Sequence, residues 1–148
     1  MGLRIVDTAT ALLENSGSKT NKKALSAMRK GGGKIQDLAQ QMAPIDKGNL
    51  EDAIITQEDR NGVNGRVRIF IGIDPSHSAG DGKNVGEYGE LIHELLYPGG
   101  SWKLGKRSKE KQDANPGVQV GGQFIERALD ELEDDIVKDI ERAIKGSV

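Results

Sequence analysis

The octapeptide Arg66-Val67-Arg68-Ile69-Phe70-Ile71-Gly72-Ile73 carries a β-branched aliphatic residue at every second position. Val67, Ile69, Ile71 and Ile73 share one side of an extended chain and Arg68, Phe70 and Gly72 the other, which predicts a strand with one buried face. Just upstream, Asn61-Gly62 and Asn64-Gly65 are strong turn signals. Before them, Leu50 to about Asp59 is a candidate strand with weaker alternation. Residues 50–73 therefore predict an antiparallel hairpin.

The flanks of this hairpin predict helices. From about Thr20 to Met42, the positions Leu25, Met28, Gly32, Ile35, Ala39 and Met42 recur at alternating spacings of three and four, a narrow helical seam. Gly31-Gly32-Gly33 lies within that seam and costs roughly 3 kcal/mol of helix propensity relative to alanine, so something must compensate. Either another backbone approaches closely there or the helix breaks in two; the seam stays in phase across the triplet, which favours one helix, with a kink allowed. Pro44 ends this helix, because the residue before a proline disfavours the α region. At the other end of the chain, Ile125, Leu129, Leu132, Ile136, Ile140, Ala143 and Ile144 form one stripe of a helix over 123–145. Residues 3–6 suit a short strand, and Asp7 or Thr8 can cap a short helix through Leu13. Val85, Tyr88, Leu91, Ile92 and Leu95 suit about three helical turns. Residues 98–122, rich in Gly, Lys, Ser and Gln, predict a long loop. The expected fold is α+β: one domain over 1–148, with a helical N-terminal part (7–43), a β-hairpin (50–73), a loop (98–122) and a C-terminal helix (123–145). The antiparallel sheet is covered on one face by the long amphipathic helices.

Composition narrows the function. The chain has 148 residues, no Cys, 20 Gly and five aromatic residues, so its core is thin and mostly aliphatic. No apolar run reaches the roughly 18 residues of a membrane span, and Met1 to Asp7 shows no secretory h-region. A net charge of −2 provides no bulk attraction to nucleic acid. That total hides three blocks. Residues 1–47 carry eight Lys/Arg against four acids, and 102–111 five against one. Residues 126–145 carry eight acids against four bases. Blocks of opposite sign suit head-to-tail contacts between copies.

Motifs for chemistry are lacking. Gly31-Gly32-Gly33-Lys34 fails the phosphate-loop pattern, with Met28 at the first glycine position and Ile35 in place of Ser/Thr. Asp74 to Val85 fails the calcium-loop pattern, with Ser76, Ser78, Ala79 and Val85 at positions that need other residues. His93 and Glu94 alone do not make a metal site, and no nucleophile-elbow pattern exists. No catalytic residue, cofactor or metal is expected. The segment 102–111 supplies Trp102, Lys103, Lys106, Arg107, Lys109 and Lys111 as candidate interface residues. An aromatic beside five cations also suits a nucleic-acid-binding module, the alternative function.

Four short segments, in order, resemble one family. Ala43-Pro44-Ile45-Asp46-Lys47-Gly48-Asn49-Leu50 is similar to the helix-stop signature of small tailed-bacteriophage head–tail joining and tail-completion proteins, also called tail-component or minor capsid proteins. Tyr88-Gly89-Glu90-Leu91-Ile92-His93-Glu94 resembles that family's Tyr/His-Glu patch. Gly100-Ser101-Trp102-Lys103-Leu104-Gly105 and Val120 to Leu129, with Phe124 before the last helix, complete the set. Lys47 and Gly89 depart from the usual Thr and Ala. The resemblance implies structural roles for Pro44, Asp46, Gly48, Leu50, Tyr88, His93, Glu94 and Phe124. It also implies a virion protein of the neck or tail, present in host cytoplasm during assembly. Such a protein forms a ring, a hexamer for the tail-end role or a dodecamer nearer the portal, with other neck or tail proteins as partners and double-stranded DNA passing through its channel without sequence readout. On this reading, residues 98–122 are expected to reach a neighbouring subunit or another neck protein and to order on assembly, and removing 103–118 to leave a folded monomer that no longer enters virions.

Overall fold

The computed structural model describes residues 4–6, 18–45, 49–59, 67–78, 85, 89, 92 and 104–146. Its elements are β1 (Arg4–Val6), α1 (Ser18–Met42), α2 (Asn49–Asp52), β2 (Ile54–Asp59), β3 (Arg68–Ile73), α3 (Lys106–Ala114) and α4 (Phe124–Lys145). The fold is α+β. The sheet is antiparallel with order β1-β3-β2, so the alternating segment read first is its central strand. Ile69, Ile71 and Ile73 are buried and pair across the sheet with Glu58, Thr56 and Ile54. The short helix expected after Asp7 lies outside the described residues.

Two expectations need correction. Leu50 does not open a strand: it is buried within the single turn of α2, and β2 begins only at Ile54. Residues 104–122 are not loop throughout, because Lys106–Ala114 is helical. Both departures share a cause described below: these residues are placed by polar contacts with the end of α1, which apolar periodicity does not register.

The weak alternation of β2 also has a physical explanation. Ile54, Thr56 and Glu58 lie on the side toward α1, and two of these three are polar. Gln36 Nε2 donates to Ile54 O (2.8 Å), and Thr56 Oγ1 donates to Gln36 Oε1 (3.3 Å). The Arg29 guanidinium meets the Glu58 carboxylate through two bonds of 2.8 and 3.1 Å. Helix α1 thus answers the polar side chains of β2 one by one.

The glycine triplet is the point where the layers meet. A methyl at Gly31 would stand 2.6 Å from Ile136 Cγ2 on α4. One at Gly32 would stand 2.9 Å from Ile69 Cγ2 on β3. Helix α1 runs unbroken through the triplet and touches α4 with one glycine and the sheet with the next. Nothing lies within 4 Å of the corresponding position at Gly33. Helices α1 and α4 run antiparallel: Lys23 reaches Gly146, and Gly121, just before α4, bonds Met42. Phe124 is fully buried at the start of α4, behind Gln123, which takes the left-handed conformation at φ 52° to turn the chain into the helix.

Substitutions in the triplet should separate packing from propensity. Gly33→Ala is expected to stabilise the protein by about 0.5–1 kcal/mol. Gly31→Ala should cost about 1–2 kcal/mol, because overpacking against a β-branched side chain outweighs the gain in propensity. Urea unfolding of both, with Ile136→Ala combined with Gly31→Ala in a double-mutant cycle, checks this: the pair should be less destabilised than the sum.

Candidate functional site

The helix stop at Pro44 organises the surface around it. An α-helical carbonyl is met by the N–H four residues later, and proline has none. Gln40 O therefore loses its donor at position 44. Ala43 N still bonds Ala39 O (2.8 Å), the last such bond of α1. Beyond it, other segments supply the donors. Lys111 Nζ donates to Gln40 O (2.6 Å), to Ala43 O (2.8 Å) and to the carboxylate of Glu51. The three ammonium protons thus meet three acceptors. Gly121 N donates to Met42 O (2.9 Å). The Ser108 hydroxyl accepts from Ile45 N (2.9 Å) and donates to Ile45 O (3.1 Å). Helix α1 carries no basic residue in its own last turn, so the cation that suits the negative end of its dipole comes from α3.

Helix α3 has a polar inner side. Ser108, Lys111 and Gln112 share one face, and Gln112 holds the following segment by donating to Val118 O (2.6 Å) and accepting from Val120 N (2.6 Å). Lys106, Arg107 and Lys109 are exposed, and Lys106 stands 4.0 Å from Glu110 one turn on. Of the six candidate interface residues, Trp102 and Lys103 lie outside the described residues. Lys111 is a correction: its side chain is only 11% exposed and is turned into the α1 end rather than toward a partner. Ordering of 98–122 on assembly is likewise corrected for 104–122, which is already structured in the single chain. Removing 103–118 would strip the caps from α1.

The structural-motif candidates divide similarly. Pro44, Leu50 and Phe124 are buried. Pro44 and the α2 turn are brought together at Lys111, and Gln40 Nε2 reinforces the junction by donating to Glu51 O (3.2 Å). Asp46, Gly48, Tyr88, His93 and Glu94 lie outside the described residues. Their neighbours Val85, Gly89 and Ile92 have helical backbone. Val85 is buried, and Ile92 packs against the core. The carboxylate of Asp74 accepts from Ser76 N and Oγ (2.9 and 2.7 Å), which holds its pKa below the usual carboxylate value. No group of three His, Cys, Asp or Glu able to hold a metal occurs among the described residues. Sequence reasoning missed Ser108, Gln112 and Glu51. The signal available for them was the unpaired carbonyls that a proline leaves at a helix end.

Part of the charge complementarity between blocks is spent within the chain. Lys34 Nζ bonds Asp139 Oδ2 (3.1 Å), Arg142 Nη1 is 3.2 Å from Asp139 Oδ1, and Lys23 Nζ donates to Gly146 O (3.1 Å). The hydrogen bond from Lys34, then its charge and those of Arg142 and Lys30, hold the Asp139 carboxyl below its ordinary pKa. An open groove of about 470 Å³ runs beside these contacts between α1 and α4.

Two outcomes are expected. Lys111→Met should cost about 2–3 kcal/mol in denaturant unfolding, because two helix-end carbonyls and a carboxylate lose their donor. Lys109→Met, two residues away and exposed, should stay within about 0.5 kcal/mol of wild type. Asp139, with its pKa depressed in the fold, contributes stability above its unfolded pKa and loses it as the pH falls through the folded value. The stability difference between wild type and Asp139→Asn should therefore be present at neutral pH and close below about pH 4.

Residues 7–79 match a family model, HK97-gp10-like, described as "Bacteriophage HK97-gp10, putative tail-component". The matched span takes in α1, the Pro44 stop, α2 and the β2–β3 pair. No curated protein and no solved structure matches the chain significantly. Over residues 7–79, just under half of its length and including α1 and the β2–β3 pair, the chain is similar to the HK97-gp10-like family of bacteriophage tail components.

Proposed function

We propose that the protein is a structural part of a tailed-phage virion, forming a closed ring of identical subunits at the head–tail junction or tail end. Hexameric symmetry is the reading for the tail end, with double-stranded DNA passing through the channel without base readout. The observation that carries this reading is the match of residues 7–79 to phage tail components. The chemistry of the chain supports it. Its polar side chains are used to place elements, as Lys111 and Ser108 do at the end of α1. Rings need two different surfaces on one subunit that fit each other. The exposed cations of α3, Lys106, Arg107 and Lys109, face outward from a helix anchored on its other side, and we assign them to contact with another neck or tail protein.

The test is made on the phage that encodes the protein. Antibody labelling should mark one narrow band at the neck or tail end of virions. Particles lacking the protein should fail to present joined, infectious heads and tails. The Lys106→Glu/Lys109→Glu variant should keep its unfolding midpoint yet lose incorporation by at least about tenfold. Normal infectious particles without the protein would overturn the proposal. So would tight, steeply salt-dependent DNA binding by the isolated chain, which marks a nucleic-acid module.

A further inference from the structure

The groove between α1 and α4 has a matching surface elsewhere on the same chain. From α1, Lys23, Ser26, Ala27, Lys30 and Lys34 line it, and from α4, Asp139 and Ala143. Four of these α1 residues, Lys23, Ala27, Lys30 and Lys34, follow one another at spacings of four, three and four, which is a single stripe along a helix. On α4, Asp130, Asp134, Val137 and Glu141 repeat the same spacing. The three acids are exposed and Val137 is partly so. At 3.6 residues per turn, this acidic stripe lies on roughly the opposite flank of α4 from Asp139 and Ala143. Each stripe spans about 16 Å.

The two stripes fit in one direction only. Laid antiparallel, Lys23 meets Glu141, Ala27 meets Val137, Lys30 meets Asp134 and Lys34 meets Asp130. Each cation then faces an acid, and the one apolar position faces the other. Laid parallel, Lys30 would face Val137 and Ala27 would face Asp134. Lys23 and Lys34 already bond Gly146 O and Asp139, but an ammonium has three donors and can take a further acceptor. Asp139 lies within bonding distance of both Lys34 and Arg142, which offset its charge in the groove.

We propose that the groove of one subunit receives the acidic flank of α4 from a second copy, antiparallel to α1. The contact is heterologous, since groove and flank are different patches. It rests on the ring reading above, and it names the subunit–subunit surface of that ring.

Sedimentation equilibrium of the full chain at low and high salt tests this. Wild type should self-associate, less so at high salt. Lys30→Glu and Asp134→Lys should each weaken association by about tenfold or more while each chain still unfolds cooperatively, and the two together in one chain should restore association. An equimolar mixture of the two single variants should also associate like wild type, because each groove then finds a complementary flank on the other variant. Single variants that associate like wild type, a double variant that is not restored, or a wild type that stays monomeric at low salt would each overturn the contact. Failure of the ring reading shows separately, as absence of the protein from labelled virions.

Discussion

Pro44 withholds one N–H from the end of α1, and several segments distant in sequence are arranged around the carbonyls this leaves open. Gln40 O and Ala43 O go to Lys111, Met42 O to Gly121 N, and the backbone of Ile45 to Ser108. An unpaired buried carbonyl costs about 1–3 kcal/mol, so each of these partners is held firmly. The same ammonium that caps α1 also binds Glu51, and that fixes α2 and the first residue of β2 behind it. With five aromatics in 148 residues, the core cannot specify all these placements by volume. Directional polar contacts at one helix end do so instead.

The second constraint is thickness. Helix α1 must touch the sheet and α4 within one turn, and Gly31 and Gly32 make it narrow enough. Alanine there would gain propensity and lose both contacts, since Ile69 and Ile136 are β-branched and have little freedom to turn aside. The roughly 2 kcal/mol of helix propensity given up at these two positions is offset by the burial of those isoleucines. Gly33, facing open space, has no such role in packing.

These two constraints also explain what could be read from the sequence. Wherever apolar period decided an element, the sequence was sufficient: β3 from Ile69, Ile71 and Ile73, α1 across its glycines, and α4 from its stripe. Where polar partners decided it, the sequence was mute. Helix α3 reads Lys-Arg-Ser-Lys-Glu-Lys-Gln-Asp-Ala, with no apolar stripe to betray its docked face. Its inner residues are a serine, a lysine and a glutamine, types that ordinarily face solvent. Leu50 likewise promised a strand, but a single helical turn serves the Glu51–Lys111 contact. Of the candidate interface, the residue types were legible and their direction was not. Lys109 and Lys111 are two positions apart in one basic run, and the helix turns one outward and the other in.

The same phase argument applies to the charge blocks. Composition places a basic N-terminal third against an acidic tail and cannot say whether they meet within a chain or between chains. Helical geometry divides them. Asp139 lies on the flank of α4 that closes on α1, where Lys34 and Arg142 hold it. Asp130, Asp134 and Glu141 lie about half a turn away and face solvent. On α1, Arg29 is taken by the sheet through Glu58, while its neighbour Lys30, one position on, stands in the groove. Adjacent residues of like charge thus serve different layers. The groove residues of α1 and the exposed acids on the far flank of α4 form two stripes of equal length and opposite sign, on the two sides of a single helix pair.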